Sequence, residues 1–303
     1  MFELTILTKP PVNQEMRMKF ILIVAFALAI SAQAQTEVID TAQFVAVYDY
    51  ECRTQNAVGK DVTDKMQLVV QAGRLLTKSM PYSAYSQTGE PTEADIVASY
   101  QEALMHMPTV WIGLPSGHTT VREFIFPNEY GATEETPEIA WTLSEDTLTV
   151  NGYLCQKAKA MFRGVEWNVC YTEEIPSSAG PWRLHGLPGL IVRAESGAHT
   201  FCLSELRQES SPIISPDDNP EVHRLKYAKL LKYRNEIYGN SQYAGNPLYH
   251  IADQTGSAQS GYTLSLGGAI NHMDVMDFGG KQYIYADGHP LLTSAHVFQP
   301  LEK

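Results

Sequence analysis

The chain has 303 residues and a formal net charge of −12 at pH 7, enough length for one large domain with a hydrophobic core or for two small ones. Nucleic acid and anionic lipid headgroups both need clustered positive charge, so an acidic chain of this kind is not expected to bind either as a general partner.

At the N-terminal side, residues 20–30 form an apolar run preceded by Arg17 and Lys19 and followed by Ala32-Gln33-Ala34. A basic flank, a short apolar stretch and a small-x-small site are the pattern of a secretory signal peptide. The run is shorter than the ~20 apolar residues of an ordinary membrane span. Met18 is a candidate start, residues 1–34 are expected to be removed near Ala34, and the remainder, 35–303, is expected to form one domain, periplasmic or secreted, with no transmembrane segment. Four cysteines follow: Cys52, Cys155, Cys170 and Cys202. An exported location permits disulfides, and four cysteines allow three pairings.

Phe44-Val45-Ala46-Val47-Tyr48-Asp49-Tyr50 opens a β-branched and aromatic strand running to Arg53. Residues 65–71 and 74–78 read as two more, bent at Ala72-Gly73, which predicts an antiparallel meander. Residues 79–91 read as loop. Thr92-Glu93-Ala94-Asp95 resembles a capping box, and the apolar spacing after it predicts a helix over 93–106 that ends at Pro108. A strand follows at 121–126. The acidic stretch 134–138 reads as a solvated connector.

Six strands are predicted next, at 140–143, 147–150, 153–162, 165–171, 190–195 and 200–206. Asn151-Gly152 and Arg163-Gly164 suit two-residue hairpin turns. Such short intervals require antiparallel pairing, because parallel strands need crossovers of about a dozen residues. A hairpin at Arg163-Gly164 would also bring Cys155 and Cys170 onto neighbouring strands, and that pair is the candidate disulfide, with buried free thiols as the alternative. Asn219-Pro220-Glu221 supplies N-cap and first-turn signals for a helix to about Tyr238. Its bases, Arg224, Lys226, Lys229, Lys232 and Arg234, point in several directions and read as solvated side chains, with a site for an anionic partner as the second reading. From about 241 the composition predicts a loop-rich part with strands near 262–266 and 280–286.

The densest information lies in Gly180-Pro181-Trp182-Arg183-Leu184-His185-Gly186-Leu187-Pro188-Gly189-Leu190-Ile191. Leu187-Pro188-Gly189-Leu190 suits a type II turn, with Pro presetting φ and Gly accepting positive φ. The segment resembles the signature of the GLPGLI family of Bacteroidetes-type exported envelope proteins. The match runs upstream through Gly152-Tyr153-Leu154-Cys155-Gln156-Lys157-Ala158, Phe162-Arg163-Gly164 and Tyr171-Thr172-Glu173-Glu174-Ile175-Pro176, and Gln299-Pro300-Leu301-Glu302 also fits. Cys170 departs from the pattern, where an aromatic is expected. The resemblance implies an exported envelope protein and brings no activity with it.

No Gly-x-Ser-x-Gly elbow, P-loop, His-Glu-x-x-His or Cys-x-x-Cys is present, so no catalytic residue, metal site or cofactor is assigned. Three constellations hold residue types that could carry chemistry. His272, Asp274, Asp277 and His289 hold metal-ligand residue types and read more simply as polar loop residues. Trp182, Arg183 and His185 form a candidate recognition patch, against the simpler reading that Trp182 and Leu187 plug a core. Glu173 and Glu174, adjacent on a strand, point to opposite faces and read as solvated.

These readings predict an α+β fold, mainly β: a large curved antiparallel sheet, half-barrel or sandwich-like, with about two covering helices. The expected role is a non-catalytic envelope module for a peptide, glycan or apolar ligand, with an outer-membrane or envelope partner. The alternatives are a structural envelope component, or a hydrolase or metalloenzyme built on scattered His and Asp/Glu.

Overall fold

A long run of β-forming residues pairs outward from one central strand to build most of the molecule. The computed structural model describes residues 37–55, 61–86, 107–125, 128–216, 222–238, 259–262, 273–278, 281–286, 289–292 and 298–302. The signal segment at 1–34 and the helix expected over 93–106 lie outside them.

In chain order the strands are β1 (Val38–Thr41), β2 (Phe44–Gln55), β3 (Asp61–Ala72), β4 (Thr77–Pro81), β5 (Thr109–Ile112), β6 (His118–Ile125), β7 (Asn128–Glu135), β8 (Thr142–Val150), β9 (Tyr153–Phe162), β10 (Val165–Thr172), β11 (Leu190–Ser196), β12 (His199–Arg207), β13 (Pro212–Ile214), β14 (His223–Lys226), β15 (Gln259–Tyr262), β16 (Met273–Phe278), β17 (Lys281–Ala286) and β18 (His289–Leu292). The helices are α1 (Tyr82–Ser86) and α2 (Tyr227–Tyr238). Twelve strands form one sheet in the order β14-β7-β6-β5-β4-β3-β2-β12-β11-β10-β9-β8. All its pairings are antiparallel except β14 with β7, which is parallel. The sheet is therefore mixed, and the fold is β-rich α+β.

Two hairpins follow the turn chemistry read from the sequence. Asn151 (φ 49°) with Gly152 (φ 88°), and Arg163 (φ 48°) with Gly164 (φ 76°), place two consecutive residues at positive φ, the geometry that matches strand twist in a two-residue loop. The separate strands expected at 140–143 and 147–150 are joined across Glu145-Asp146. β8 runs through that point with a bulge between Leu143 and Thr147.

Four expectations are corrected. Residues 79–81 belong to β4 and 82–86 to α1 rather than to a loop. Glu134 and Glu135 end β7 instead of forming a solvated connector. The second helix begins at Tyr227 rather than near Asn219, because His223–Lys226 is taken up as a strand on β7. The part from 241 carries a four-stranded sheet, β15-β16-β17-β18, where mostly loop was expected.

The large sheet is strongly curled. Laid flat at ~4.8 Å per strand, the nine steps from β7 to β9 would span about 40 Å. Yet Arg163, in the turn that ends β9, sets Nη2 2.6 Å from Glu134 Oε1 on β7. The curl brings distant strands together without pairing the edge strands β14 and β8. Its inner face is one hydrophobic core including Tyr48, Tyr50, Leu68, Trp167, Trp182 and Phe201. The outer face of β2 and β3 is covered as well. Val45, Val47, Val69, Met80, Trp111 and Ile213 pack there beneath the β1–β13 ribbon, with Tyr82 and Tyr85 of α1 against them. Burial on both faces explains why β2 reads as a continuous apolar run at its start.

Candidate functional site: a buried arginine and carboxylate cluster

Between β10 and β11 the chain leaves the sheet and folds into its concavity, and the 180–191 segment ends this excursion, re-entering the sheet at Leu190 and Ile191. Trp182, Leu184, Leu190 and Ile191 are all 0% exposed, and Arg183 is 1% exposed. The Trp182 indole packs 5.8 Å from Trp167 and 5.9 Å from Phe162. Its backbone takes φ 56°, a left-handed conformation that costs a bulky residue about 1–2 kcal/mol. The amide is held there by donating to Ser79 Oγ at 3.1 Å.

The glycines do not play the parts the sequence suggested. Gly186, not Gly189, carries positive φ, at 93°. Gly189 serves close packing instead. A Cβ built there would stand 2.0 Å from the Thr172 carbonyl oxygen and 2.8 Å from the Glu173 nitrogen, so the type II turn expected at 187–190 gives way to a backbone-on-backbone contact. Gly180 has the same function, with the Leu184 carbonyl oxygen 2.6 Å from a built Cβ. Pro181 and Leu187 are buried, and Pro188 is exposed.

Arg183 carries this segment into an ion cluster. Its guanidinium donates from Nη2 to Glu134 Oε1, sets Nη1 3.5 Å from Glu302 Oε2 and stacks 4.4 Å from the centroid of Tyr227 on α2. Arg163 stacks on the same Tyr227 ring at 4.8 Å, donates to Glu134 and brings Nε 3.4 Å from Glu302 Oε2. From α2, Arg234 Nη1 lies 3.5 Å from Glu302 Oε1 and 3.6 Å from Glu123 Oε2. The Tyr227 hydroxyl donates to Glu302 Oε1. Three guanidinium groups thus face three carboxylates, and the side chains of Arg183, Arg234, Glu123 and Glu302 are each at most 5% exposed.

Burial works against the charged form of Arg183, but Tyr227, Glu302 and Glu134 outweigh it and hold the guanidinium above its ordinary range. Arg234 is held up in the same way by Glu123 and Glu302. Glu123 behaves oppositely. Desolvation, aided by repulsion from Glu302 and only partly offset by Arg234, pushes its pKa up to about 7. Burial also drives the Tyr227 phenol upward, so it stays a hydrogen-bond donor. Charge-assisted hydrogen bonds from the guanidinium groups reach Glu134 Oε1 and Glu302 Oε1, while Arg183 Nη1 and Glu302 Oε2 meet only as an ion pair.

Beside the cluster, His199 on β12 is neutral by construction. Desolvation lowers its pKa to about 4. Nε2–H donates to the Pro300 carbonyl at 3.3 Å, which leaves Nδ1 to accept from the Tyr50 hydroxyl at 2.8 Å.

The recognition patch expected at Trp182, Arg183 and His185 is not assembled at the surface. Trp182 and Arg183 are interior, and His185 donates from Nδ1 to the Arg183 carbonyl at 2.8 Å, closing the local bend. All four cysteines are free thiols. Register explains why Cys155 and Cys170 are not bridged: Cys170 stands opposite Lys157, leaving Cys155 a diagonal step away, and the Cys155 thiol donates to the Tyr153 carbonyl. Glu173 and Glu174 are exposed. Asp274 and Asp277 lie in β16 and His289 begins β18, in the row of Ala286 and Met273 rather than that of Asp274. His272 is outside the described residues. Among the described residues, no group of three or more His, Cys, Asp or Glu is placed to hold a metal ion.

Two of the missed cluster members left a trace in the sequence. Leu230, Arg234 and Tyr238 recur every four residues, which puts Arg234 on the buried stripe of α2. Glu123 alternates with Val121 and Ile125 on one face of β6. Glu134, Tyr227 and Glu302 carry no local signal, because their partners come from other elements.

An open recess of mixed polar and apolar lining lies on the surface, formed by Arg53, Gln55, Asp61, Val62, Thr63 and Gln299 with Thr54. Within it Gln55 Nε2 donates to Asp61 Oδ1 at 3.0 Å.

No protein-family model matches the chain, and no curated protein matches it. Among solved structures it shows a distant likeness to PNGF-II. In a P21 crystal form the TM-score is 0.42 at 13% identity, over 64% of this chain and 32% of that one. In a C2 form it is 0.38 at 13% identity, over 62% and 32%. The chain thus spans about a third of the length of those proteins, and likeness at this level carries no argument about activity.

Proposed function

We propose that the chain is an exported envelope protein of GLPGLI type that acts as a non-catalytic binding or accessory module for a peptide or glycan. The supporting observation is the burial of the 180–191 segment, whose Trp182, Arg183 and Leu184 side chains are used to build the interior. With the concavity occupied by the protein's own residues, recognition falls to the outer surface. The recess lined by Arg53, Gln55, Asp61, Val62, Thr63 and Gln299 offers charged and amide groups beside an apolar side chain, a mixed lining that suits a peptide or glycan.

A photocrosslinking residue at Thr63, in cells producing the full chain, tests this reading. An adduct with one envelope component, absent when the crosslinker is moved to exposed Leu75, is the expected result. Absence of any Thr63 adduct, together with hydrolytic turnover by the purified protein, would favour the enzyme alternative.

A further inference from the structure

The arginine cage has an occupant, and that occupant is a short separate stretch of chain. Residues 298–302 belong to no strand or helix, yet each is seated in a distinct environment. The Phe298 ring packs 5.4 Å from Tyr238 at the end of α2. Gln299 lines the open recess beside Arg53 and Gln55. The Pro300 carbonyl accepts from His199. Leu301, 6% exposed, enters the main core, and Glu302, 0% exposed, ends in the cage of Arg163, Arg183, Arg234 and Tyr227. Alternating apolar and polar subsites closed by a carboxylate clamp are how peptide-binding grooves read an extended ligand.

We propose that the groove between α2, β12 and the 163 and 183 turns is a peptide-binding site, and that residues 298–302 are its intramolecular ligand. The class of ligand is an extended acidic peptide with a leucine-like residue directly before a glutamate. The site binds such a segment in trans when the chain's own copy is released. This holds whether or not the accessory role is correct, because the site is defined by contacts within the chain.

The test uses the full chain with a specific protease sequence inserted between residues 293 and 297, cut after folding, and a fluorescein-labelled peptide of residues 295–303 followed by anisotropy. The cut protein is expected to exchange its own segment for the labelled peptide, with a Glu302→Gln peptide binding at least about tenfold more weakly. That figure reflects the greater strength of hydrogen bonds to charged groups. If cutting unfolds the protein, excess wild-type peptide is expected to restore the near-UV dichroism and the Glu302→Gln peptide to restore less. Equal binding of the two peptides, no binding to a folded cut protein, or failure of any peptide to restore an unfolded one would each overturn the proposal. Photocrosslinking at Thr63 is read on the uncut chain, so the two ideas fail independently.

Discussion

Arg183, in the segment between β10 and β11, and Glu302, in the separate stretch 298–302, meet in the interior, Nη1 3.5 Å from Oε2, with both side chains at most 2% exposed. Neither charge has access to bulk water, so each depends on the other and on its remaining partners, Glu134 for Arg183, Arg163 and Arg234 for Glu302, and Tyr227 for both. Removing one member strands the rest. Glu302→Ala should destabilise the fold by about 3–5 kcal/mol, the usual cost of leaving a buried charge uncompensated. Urea unfolding with an unchanged m-value measures it. In a double-mutant cycle with Arg183→Met the two losses should be coupled by about 1–3 kcal/mol, and strict additivity would show that the contact is incidental.

Gly186 and Gly189, three residues apart, differ in kind. Gly186→Ala must hold an alanine at φ 93° with no atom closer to its Cβ than Trp141 Nε1 at 4.0 Å, so its cost is the left-handed backbone alone, about 1–2 kcal/mol. Gly189→Ala drives a methyl into the Thr172 carbonyl. Backbone cannot yield as a side-chain tip does, so the loss should be about 3 kcal/mol or more. Thermal unfolding of the two variants ranks them, and the reverse order would contradict the close-approach role of Gly189.

The neutral His199 makes the fold acid-sensitive. Its folded pKa, about 4, lies below the unfolded value of ~6.5, so the unfolded state binds more protons between those limits. Its contribution is complete above pH 6.5 and is lost as pH falls toward 4, by up to about 3 kcal/mol. In His199→Gln the drop in stability between pH 6.5 and 4 should shrink by a comparable amount. An unchanged acid limb would mean that the imidazole is already charged in the folded protein.

Glu123 acts with the opposite sign. Its folded pKa of about 7 exceeds the unfolded ~4.3, so the folded state binds more protons in that window. Its contribution is present below pH 4.3 and disappears as pH rises to 7. The stability of Glu123→Gln relative to the parent chain should therefore improve from pH 5 to pH 8. A flat difference across that range would place the carboxylate in its charged form throughout.

Local chemistry was legible wherever a short segment decides its own geometry. Asn151-Gly152 and Arg163-Gly164 close hairpins because two residues suffice to set the turn, and Phe44 to Tyr50 forms a strand because branched and aromatic side chains fill both faces of the sheet there. Glu134 was read as a solvated connector because its partners, Arg163 and Arg183, reach it only after the sheet has curled. Tyr227 could not be seen as a helix start while Asn219-Pro220-Glu221 offered a better cap, since pairing of His223–Lys226 with β7 is a tertiary event. Gly189 misled for a related reason: the Thr172 carbonyl that excludes a side chain belongs to the preceding strand. The cluster was invisible as a unit because its members span β6, β7, the 163 turn, the 183 excursion, α2 and residue 302.

The central claim is that the 180–191 segment is an interior plug. Its amides are committed accordingly: Leu184 donates to Pro181, Gly186 to Ser178, Leu190 to Ile175 and Ile191 to Ala179. Hydrogen exchange resolved to this segment tests the claim directly. Protection of the Trp182, Leu190 and Ile191 amides at the level of the β2–β3 core is the result the account predicts, since they should open only with global unfolding. Exchange at the rate of the exposed hairpin turn at Asn151-Gly152 would contradict it.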